Sequence, residues 1–275
     1  MSELFAGLQR LLPHHALSRA VGQLARSEHP WVRRPLIHAF ARWYEVDMAD
    51  AERTRLEDYA SFNDFFTRAL RADARPLDPD PLALLCPVDG TVSQAGPIRD
   101  DRLLQAKGHS YTLRSLAGRD CPELQNGSFV TVYLAPGDYH RIHLPAAGRL
   151  VATTTLPGAL FSVNARTEAA VTDLFCRNER LACWFETDFG PMLVVLVGAL
   201  IVASIETVWG EEASPYRREQ HHYWNQSFPR GAEVGRFLLG STVIVCCPPG
   251  ALTLRADLTH GQRVRMGERL GTLHP

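Results

Sequence analysis

The sequence predicts an α+β protein, with amphipathic N-terminal helices followed by a mainly antiparallel β domain of sandwich or barrel-like form. Three observations carry that expectation. Apolar residues recur at helical spacing through residues 1–70. From Cys86 onward, short β-type runs alternate with Gly and Pro, as in GSFVTVYLAP, GRLVATTTLPG, LACWFETDFGP and FLLGSTVIVCCPPG. The 275 residues are 45% hydrophobic and 21% charged, which suits a globular chain with a sizeable core and excludes disorder, collagen and a small disulfide scaffold. The net charge of -1 argues against a general nucleic-acid binder.

The first helical stretch carries Leu4, Phe5, Leu8, Leu11 and Leu12, then Leu17, Ala20, Val21 and Leu24. Pro13 divides it, and arginines interrupt the apolar run that a signal peptide would need. Trp31, Leu36, Ile37, Phe40, Trp43 and Tyr44 continue the helical spacing. Arginines 10, 19, 26, 33, 34 and 42 outweigh Glu3 and Glu28 in this region. Such a segment suits a helix pair lying on an anionic membrane, and equally a helical layer packed on the next domain. Ser61 and Asp64 have capping-box spacing ahead of Phe65, Phe66 and Leu70. Residues 71–85, beginning RADARPLDPDP, read as a surface linker, and 86–275 as the β-rich catalytic domain.

Within that domain the uncharged run Phe189–Ile205 falls short of the ~20 residues of a membrane span and reads as two buried strands joined at a glycine. GQRVRMGERLGTL has the form of a closing hairpin like that of biotinyl/lipoyl-type β domains. The six cysteines lack framework spacing and read as reduced, mostly buried thiols. Lys107 is the only lysine, so a lysine Schiff base or a lysine-linked carrier has one attachment point.

Three segments carry candidate chemistry: CPVDG (86–90), YLAPGDYHRIHLP (133–145) and FLLGSTVI (237–244). Each alone has a structural explanation. Asp89-Gly90 is a hairpin-turn dipeptide, His140 and His143 could end a strand or form half a zinc site, and Gly240-Ser241-Thr242 could be a bulge. Together they supply a carboxylate, two imidazoles and a hydroxyl, the set that activates a serine for acyl chemistry. Ser241 lies inside an apolar strand-like run rather than on a nucleophile elbow. That position suits attack on the adjacent Gly240 carbonyl, where glycine removes an obstructing Cβ.

These segments resemble the bacterial phosphatidylserine decarboxylases. The likeness extends over FNDFFTRALR (62–71), RPLD (75–78), PVDG (87–90), QAKGHSYTL (105–113), YLAPGDYHRIHLP (133–145), LPGALFSVN (156–164), LFCRNER (174–180), FGPMLVVLVGALIVASIETVW (189–209) and GRFLLGSTVI (235–244). The resemblance implies a self-processing proenzyme. Ser241 attacks the Gly240 carbonyl, and the resulting ester is eliminated. The residue at 241 becomes a covalent pyruvoyl group, leaving a large chain of residues 1–240 and a small chain of 241–275. No pyridoxal phosphate and no metal are then required, which accords with a single lysine.

By the same resemblance, Asp89 orients His143, His143 is the base for Ser241, and His140 handles the proton that replaces CO₂. The two histidines could exchange roles. Ser162, Asn164 and Lys107 are candidate contacts to the lipid headgroup. The substrate is phosphatidylserine in the membrane. The implied location is the cytoplasmic face of the cytoplasmic membrane, held peripherally, and the implied assembly is a homo-oligomer without nucleic acid. Gly137 departs from the arginine that related chains often carry there. Three rival readings stand beside this one. They are a soluble pyruvoyl-dependent amino-acid decarboxylase, a metal-dependent hydrolase using His140, His143, His221 and His222, and a lipoyl-like carrier.

Overall fold

The computed structural model describes residues 21–106, 108–199, 205–210, 215–238 and 241–275. Gly240, Lys107 and the apolar residues from Leu4 to Leu17 lie outside the described residues.

Helix α1 (Pro30–Trp43) begins with a proline in its first turn, where the missing N–H is not needed. Helix α2 (Phe62–Phe66) starts at the expected cap: Ser61 Oγ accepts the Asp64 N–H at 3.1 Å. The reciprocal bond shifts by one residue, with the Asp64 carboxylate accepting the Ala60 N–H at 2.9 Å. Short helices α3 (Leu113–Ala117), α4 (Ala165–Glu168) and α5 (Leu174–Arg177) follow within the β domain.

The strands, in chain order, are β1 (Ala83–Leu85), β2 (Gly90–Pro97), β3 (Arg102–Leu104), β4 (Ser110–Thr112), β5 (Ser128–Leu134), β6 (Arg141–His143), β7 (Gly148–Leu156), β8 (Arg180–Thr187), β9 (Gly190–Gly198), β10 (Ile205–Thr207), β11 (Gln220–Phe228), β12 (Glu233–Phe237), β13 (Ser241–Cys247), β14 (Leu252–Leu254), β15 (Arg263–Val264) and β16 (Arg269–Leu273). Eight form one antiparallel sheet in the order β11-β7-β8-β9-β13-β5-β2-β15. Smaller sheets are β1-β16-β14, β10-β12-β6 and β3-β4.

The α+β, mainly antiparallel architecture is the expected one. The large sheet is open, however, with edges at β11 and β15, and does not close into a barrel. The uncharged run, expected to hold two buried strands joined at a glycine, holds one among its described residues, β9, ending at Gly198; β10 begins only at its last residue, Ile205, and belongs to another sheet. The presumed linker already contains a strand at its end, because β1 pairs with β16. The C-terminal hairpin is split: β15 pairs with β2 while β16 joins β1 and β14.

Both faces of the large sheet are covered. One face packs Val132, Leu134, Leu181, Leu196 and Val243 against Ile142, Leu144 and Phe237. The other packs Phe129, Ile244, Val195 and Trp184 against Leu113, Leu116, Leu174 and Phe175 around helices α3 and α5. Strand β13 is buried on both faces. That explains its nearly unbroken apolar run, which shows no alternation. A third cluster joins Ile37 and Phe40 of α1 to Tyr59, Phe62, Phe65 and Phe66.

Candidate active site

Two segments distant in sequence run side by side for most of their length. Residues 128–134 pair with 247–241, so that Leu134 faces Ser241. Beyond a gap, Arg141, Ile142 and His143 pair with Arg236, Gly235 and Glu233, and the Phe237 N–H donates to the His140 carbonyl at 3.0 Å. The segment from Leu134 to His140 and the chain from Phe237 to Ser241 thus begin and end at the same two pairings. Antiparallel register does this with no help from sequence proximity.

Ser241 opens β13 with both ladders formed, to Leu134 on one side and Gly198 on the other. Its side chain is wholly buried, and Oγ has no hydrogen-bond partner among the described residues. Thr242 Oγ1 and Thr131 Oγ1, on and beside the same strand, likewise have no partner among the described residues.

His140 is wholly buried under the Phe66 ring, with centroids 4.1 Å apart. Its Nδ1 lies 2.9 Å from the Asp138 carbonyl. A carbonyl can only accept, so Nδ1 carries the proton and Nε2 keeps a lone pair. That Nε2 is also without a partner among the described residues. Burial pulls the His140 pKa down to about 3, and the Arg68 guanidinium pushes the same way against the Asp138 carbonyl. The imidazole is neutral at pH 7.

His143 is arranged similarly. Nδ1 donates to the Gly231 carbonyl at 2.8 Å, and Nε2 accepts from the Tyr139 hydroxyl at 2.9 Å. Burial lowers its pKa below the ordinary histidine value, while the Gly231 carbonyl and the charges of Glu233 and Asp89 oppose that shift.

Asp89 is held differently from the expectation. Its carboxylate receives a forked pair from Arg75, Nε to Oδ1 at 3.0 Å and Nη2 to Oδ2 at 2.6 Å, and Oδ1 also accepts the Met266 N–H at 2.9 Å. No hydrogen bond joins Asp89 to His143 among the described residues. The backbone brings them together instead, because the His143 N–H donates to the Pro87 carbonyl at 2.8 Å. Asp89 thus acts on the ring through its field. Gly90 is not a hairpin turn: it opens β2, and a Cβ there would lie 2.3 Å from the Tyr133 carbonyl oxygen. Arg75, in the RPLD run, and Tyr139, inside the DYHRIH run, are the contacts that residue-by-residue reading missed.

The helical layer reaches this site. Phe40 of α1 stacks edge-on to Phe66 at 5.8 Å, and Phe66 covers His140. A Cβ on Gly137 would lie 3.0 Å from the Tyr44 carbonyl oxygen at the end of α1. A cavity of about 370 Å³ opens beside Asp89, lined by Asp50, Arg68, Arg75, Asp138, Tyr139 and Arg265. Asn164 accepts the Thr167 N–H at 3.0 Å and so caps α4. The Asn164 N–H reaches Ser162 Oγ at 3.5 Å. His221 and His222 lie on edge strand β11 against β7, apart from the strand that carries His143. Among the described residues no group of three or more potential ligands could hold a metal ion.

The buried His140 makes one outcome calculable. Below pH 6.5 the unfolded chain takes up a proton that folded His140 refuses until about pH 3. Stability then falls by about 1.4 kcal/mol per pH unit from this group. Urea unfolding at pH 7 and pH 5 will show a smaller loss in His140→Gln than in the wild-type chain. Equal losses would contradict a neutral, buried imidazole.

A buried serine at the start of β13, an imidazole buried under Phe66, a second imidazole on β6 and a carboxylate clamped by Arg75 together mark the protein as an enzyme. The comparisons specify the class. The family model described as phosphatidylserine decarboxylase matches residues 62–272, and a second, described as PSD, matches residues 4–45. The phosphatidylserine decarboxylase proenzyme of Methylococcus capsulatus is 50% identical over 98% of this chain and 96% of its own. That of Azotobacter vinelandii is 51% identical over 98% and 97%, and one from Pseudomonas aeruginosa is 50% identical over 97% and 96%. The chain belongs to the phosphatidylserine decarboxylase family, and it is a decarboxylase of the lyase class.

Proposed function

We propose that this protein cuts itself between Gly240 and Ser241 and then converts phosphatidylserine to phosphatidylethanolamine with a pyruvoyl group made from Ser241. The observation that carries the reading is the antiparallel register that pairs Leu134 with a buried Ser241, whose hydroxyl has no partner among the described residues, and His140 with Phe237 four residues before that serine. His143, neutral and with a fixed tautomer, takes the Ser241 proton at Nε2, the Tyr139 hydroxyl turning away from that lone pair, as Oγ attacks the Gly240 carbonyl. The peptide nitrogen leaves Gly240, giving an ester. Loss of the Ser241 α-proton then expels the Gly240 carboxylate and leaves dehydroalanine. Hydrolysis of that residue releases ammonia and completes the group.

The surroundings of residue 241 suit such a group. It would be held at the start of β13 by the ladders to β5 and β9, among Leu134, Val243 and Leu196. When bound, the group withdraws electrons from the substrate amine and so permits loss of CO₂. His140 Nε2, which holds a lone pair, takes up a solvent proton in each turnover and passes it to the carbon that loses CO₂. Phe66 covers one side of that ring. The arginines of the cavity beside Asp89 suit a lipid phosphodiester. Residues 241–275 supply a central strand of the sheet, and Arg263 forks onto Asp138 at 2.7 and 3.2 Å. The two chains therefore stay associated after cutting. The test is intact mass of the purified protein: two chains, the smaller beginning at 241 and resistant to Edman degradation. An uncut protein with full activity would end this reading.

A phospholipid substrate requires contact with the bilayer, and no helix among the described residues is long and apolar enough to cross one. Helix α1 supplies the docking edge in this reading, at the inner face of the cytoplasmic membrane. Trp31 and Trp43 are 85% and 83% exposed, although both are large and apolar. Phe40, expected among the lipid-facing residues, is instead packed in the aromatic cluster with Phe62 and Phe66. Removing residues 1–44 would therefore damage that cluster as well as docking. The cleaner experiment is Trp31→Ser with Trp43→Ser. Vesicle flotation falls at least about tenfold, each exposed indole contributing on the order of 1–2 kcal/mol, while turnover of a short-chain soluble phosphatidylserine is kept. Unchanged flotation would move docking elsewhere.

A further inference from the structure

Glu179, in the LFCRNER run, is wholly buried. The Gly198 N–H donates to its carbonyl oxygen at 2.9 Å, continuing the β8–β9 register in which Arg180 faces Val197. Gly198 in turn faces Ser241, and Ser241 faces Leu134. Glu179, Gly198, Ser241 and Leu134 thus form one row across the sheet, and directly opposed residues share a face. The next row on that face, Leu181, Leu196, Val243 and Val132, lies in a single apolar cluster. Glu179 and Ser241 therefore flank a residue without a side chain. A Cβ built on Gly198 would find the Glu179 carbonyl oxygen at 3.3 Å and Leu160 Cδ2 at 4.0 Å. Asn178 fixes this floor by donating to the Gly198 and Phe161 carbonyls at 2.9 and 2.8 Å.

We propose that Glu179 is the residue that receives the α-amino group of the serine headgroup, held over Gly198 between the Glu179 carboxyl and residue 241. This rests on the decarboxylase reading above, in which the substrate amine must come to residue 241. Two strand spacings separate the α-carbons of Glu179 and Ser241 by about 10 Å. A glutamate side chain on that face and an amine seated at residue 241 are together long enough to fill that span. The carboxyl is anchored by the Tyr216 N–H, which donates to Oε2 at 2.8 Å. Burial raises the Glu179 pKa to about 8, with the Tyr216 N–H working the other way. The group is thus protonated at pH 7 before substrate arrives. An ammonium placed beside it favours the carboxylate, so its binding expels a proton.

The experiment uses the self-processed protein and Glu179→Gln, which keeps an oxygen for the Tyr216 N–H. The probes are short-chain phosphatidylethanolamine, which bears the amine but has no carboxylate to lose, and short-chain phosphatidylcholine, which bears a quaternary nitrogen. Glu179→Gln is cut to the wild-type extent. It binds the ethanolamine lipid at least about tenfold more weakly, the size of a lost contact to a charged group, and binds the choline lipid as the wild type does. Calorimetry in buffers of different ionisation heat gives about one proton released per ethanolamine lipid bound by the wild type and none by the variant. Equal ethanolamine binding by both proteins overturns the assignment. So does an uncut Glu179→Gln chain, because the carboxyl is required only after processing. A wild-type chain that is itself uncut defeats the decarboxylase reading instead.

Discussion

Ser241→Ala remains a single chain on a denaturing gel and loses decarboxylation by at least about 10⁴-fold, the scale of removing a catalytic nucleophile. The substitution takes away one atom, and that atom has no hydrogen-bond partner among the described residues. Its surroundings are Leu134, Leu196 and Val243, so alanine sits there at no polar cost. The thermal midpoint therefore stays level or rises, since an unsatisfied buried hydroxyl costs on the order of 1–3 kcal/mol. This pairing of total functional loss with undiminished stability is the diagnostic result. A structural serine would show the reverse. Cutting of the variant at 240–241 would mean that another group initiates processing, and the role of Oγ would be lost.

The chemistry of the site was more legible in the sequence than its geometry. Asp89, His140, His143 and Ser241 stand out because few structural needs call for those residue types inside apolar or glycine-rich runs. Their juxtaposition was not legible, because residues 128–143 meet 233–247 through a register set by the whole sheet. Helical spacing showed that Trp31, Phe40 and Trp43 belong to one helix. It did not show that Phe40 would be covered by Phe62 and Phe66 while both tryptophans stayed exposed. The partner of Asp89 was hidden in a stretch that read as linker, since nothing local marks Arg75 as a clamp on a buried carboxylate. Gly90 read as a turn residue, whereas its requirement is the close approach of the Tyr133 carbonyl. Glu179 gave no periodic signal, because an acid at the first position of a buried row looks like the end of a helix.

His143→Ala leaves the chain uncut, whereas His140→Ala is still cut and turns over little lipid. Both rings place Nδ1–H on a backbone carbonyl, and they differ at Nε2, which accepts from the Tyr139 hydroxyl in His143 and has no partner among the described residues in His140; that difference alone does not assign the two proton transfers. The surrounding charges do. Glu233 and Asp89 favour a proton on His143 against the opposing charge of Arg141, which helps the ring hold the proton it takes from Ser241. Arg68 disfavours a proton on His140, which suits a group that must pass its proton on quickly to carbon. General base catalysis contributes about 10²–10⁴-fold, so a time course of cutting resolves the difference readily. Lowering the pH gives a second reading. His143 loses its lone pair only below its depressed pKa, so cutting persists from pH 7 down past pH 6.5 and fails at lower pH. Asp89→Asn removes the charge that favours the imidazolium, so the failure moves to still lower pH, with slower cutting above it. It also deprives half-buried Arg75 of its forked partner, so its unfolding midpoint is measured alongside. Equal loss of cutting in the two histidine variants would remove this division of labour and leave the charge difference around the rings without a catalytic meaning.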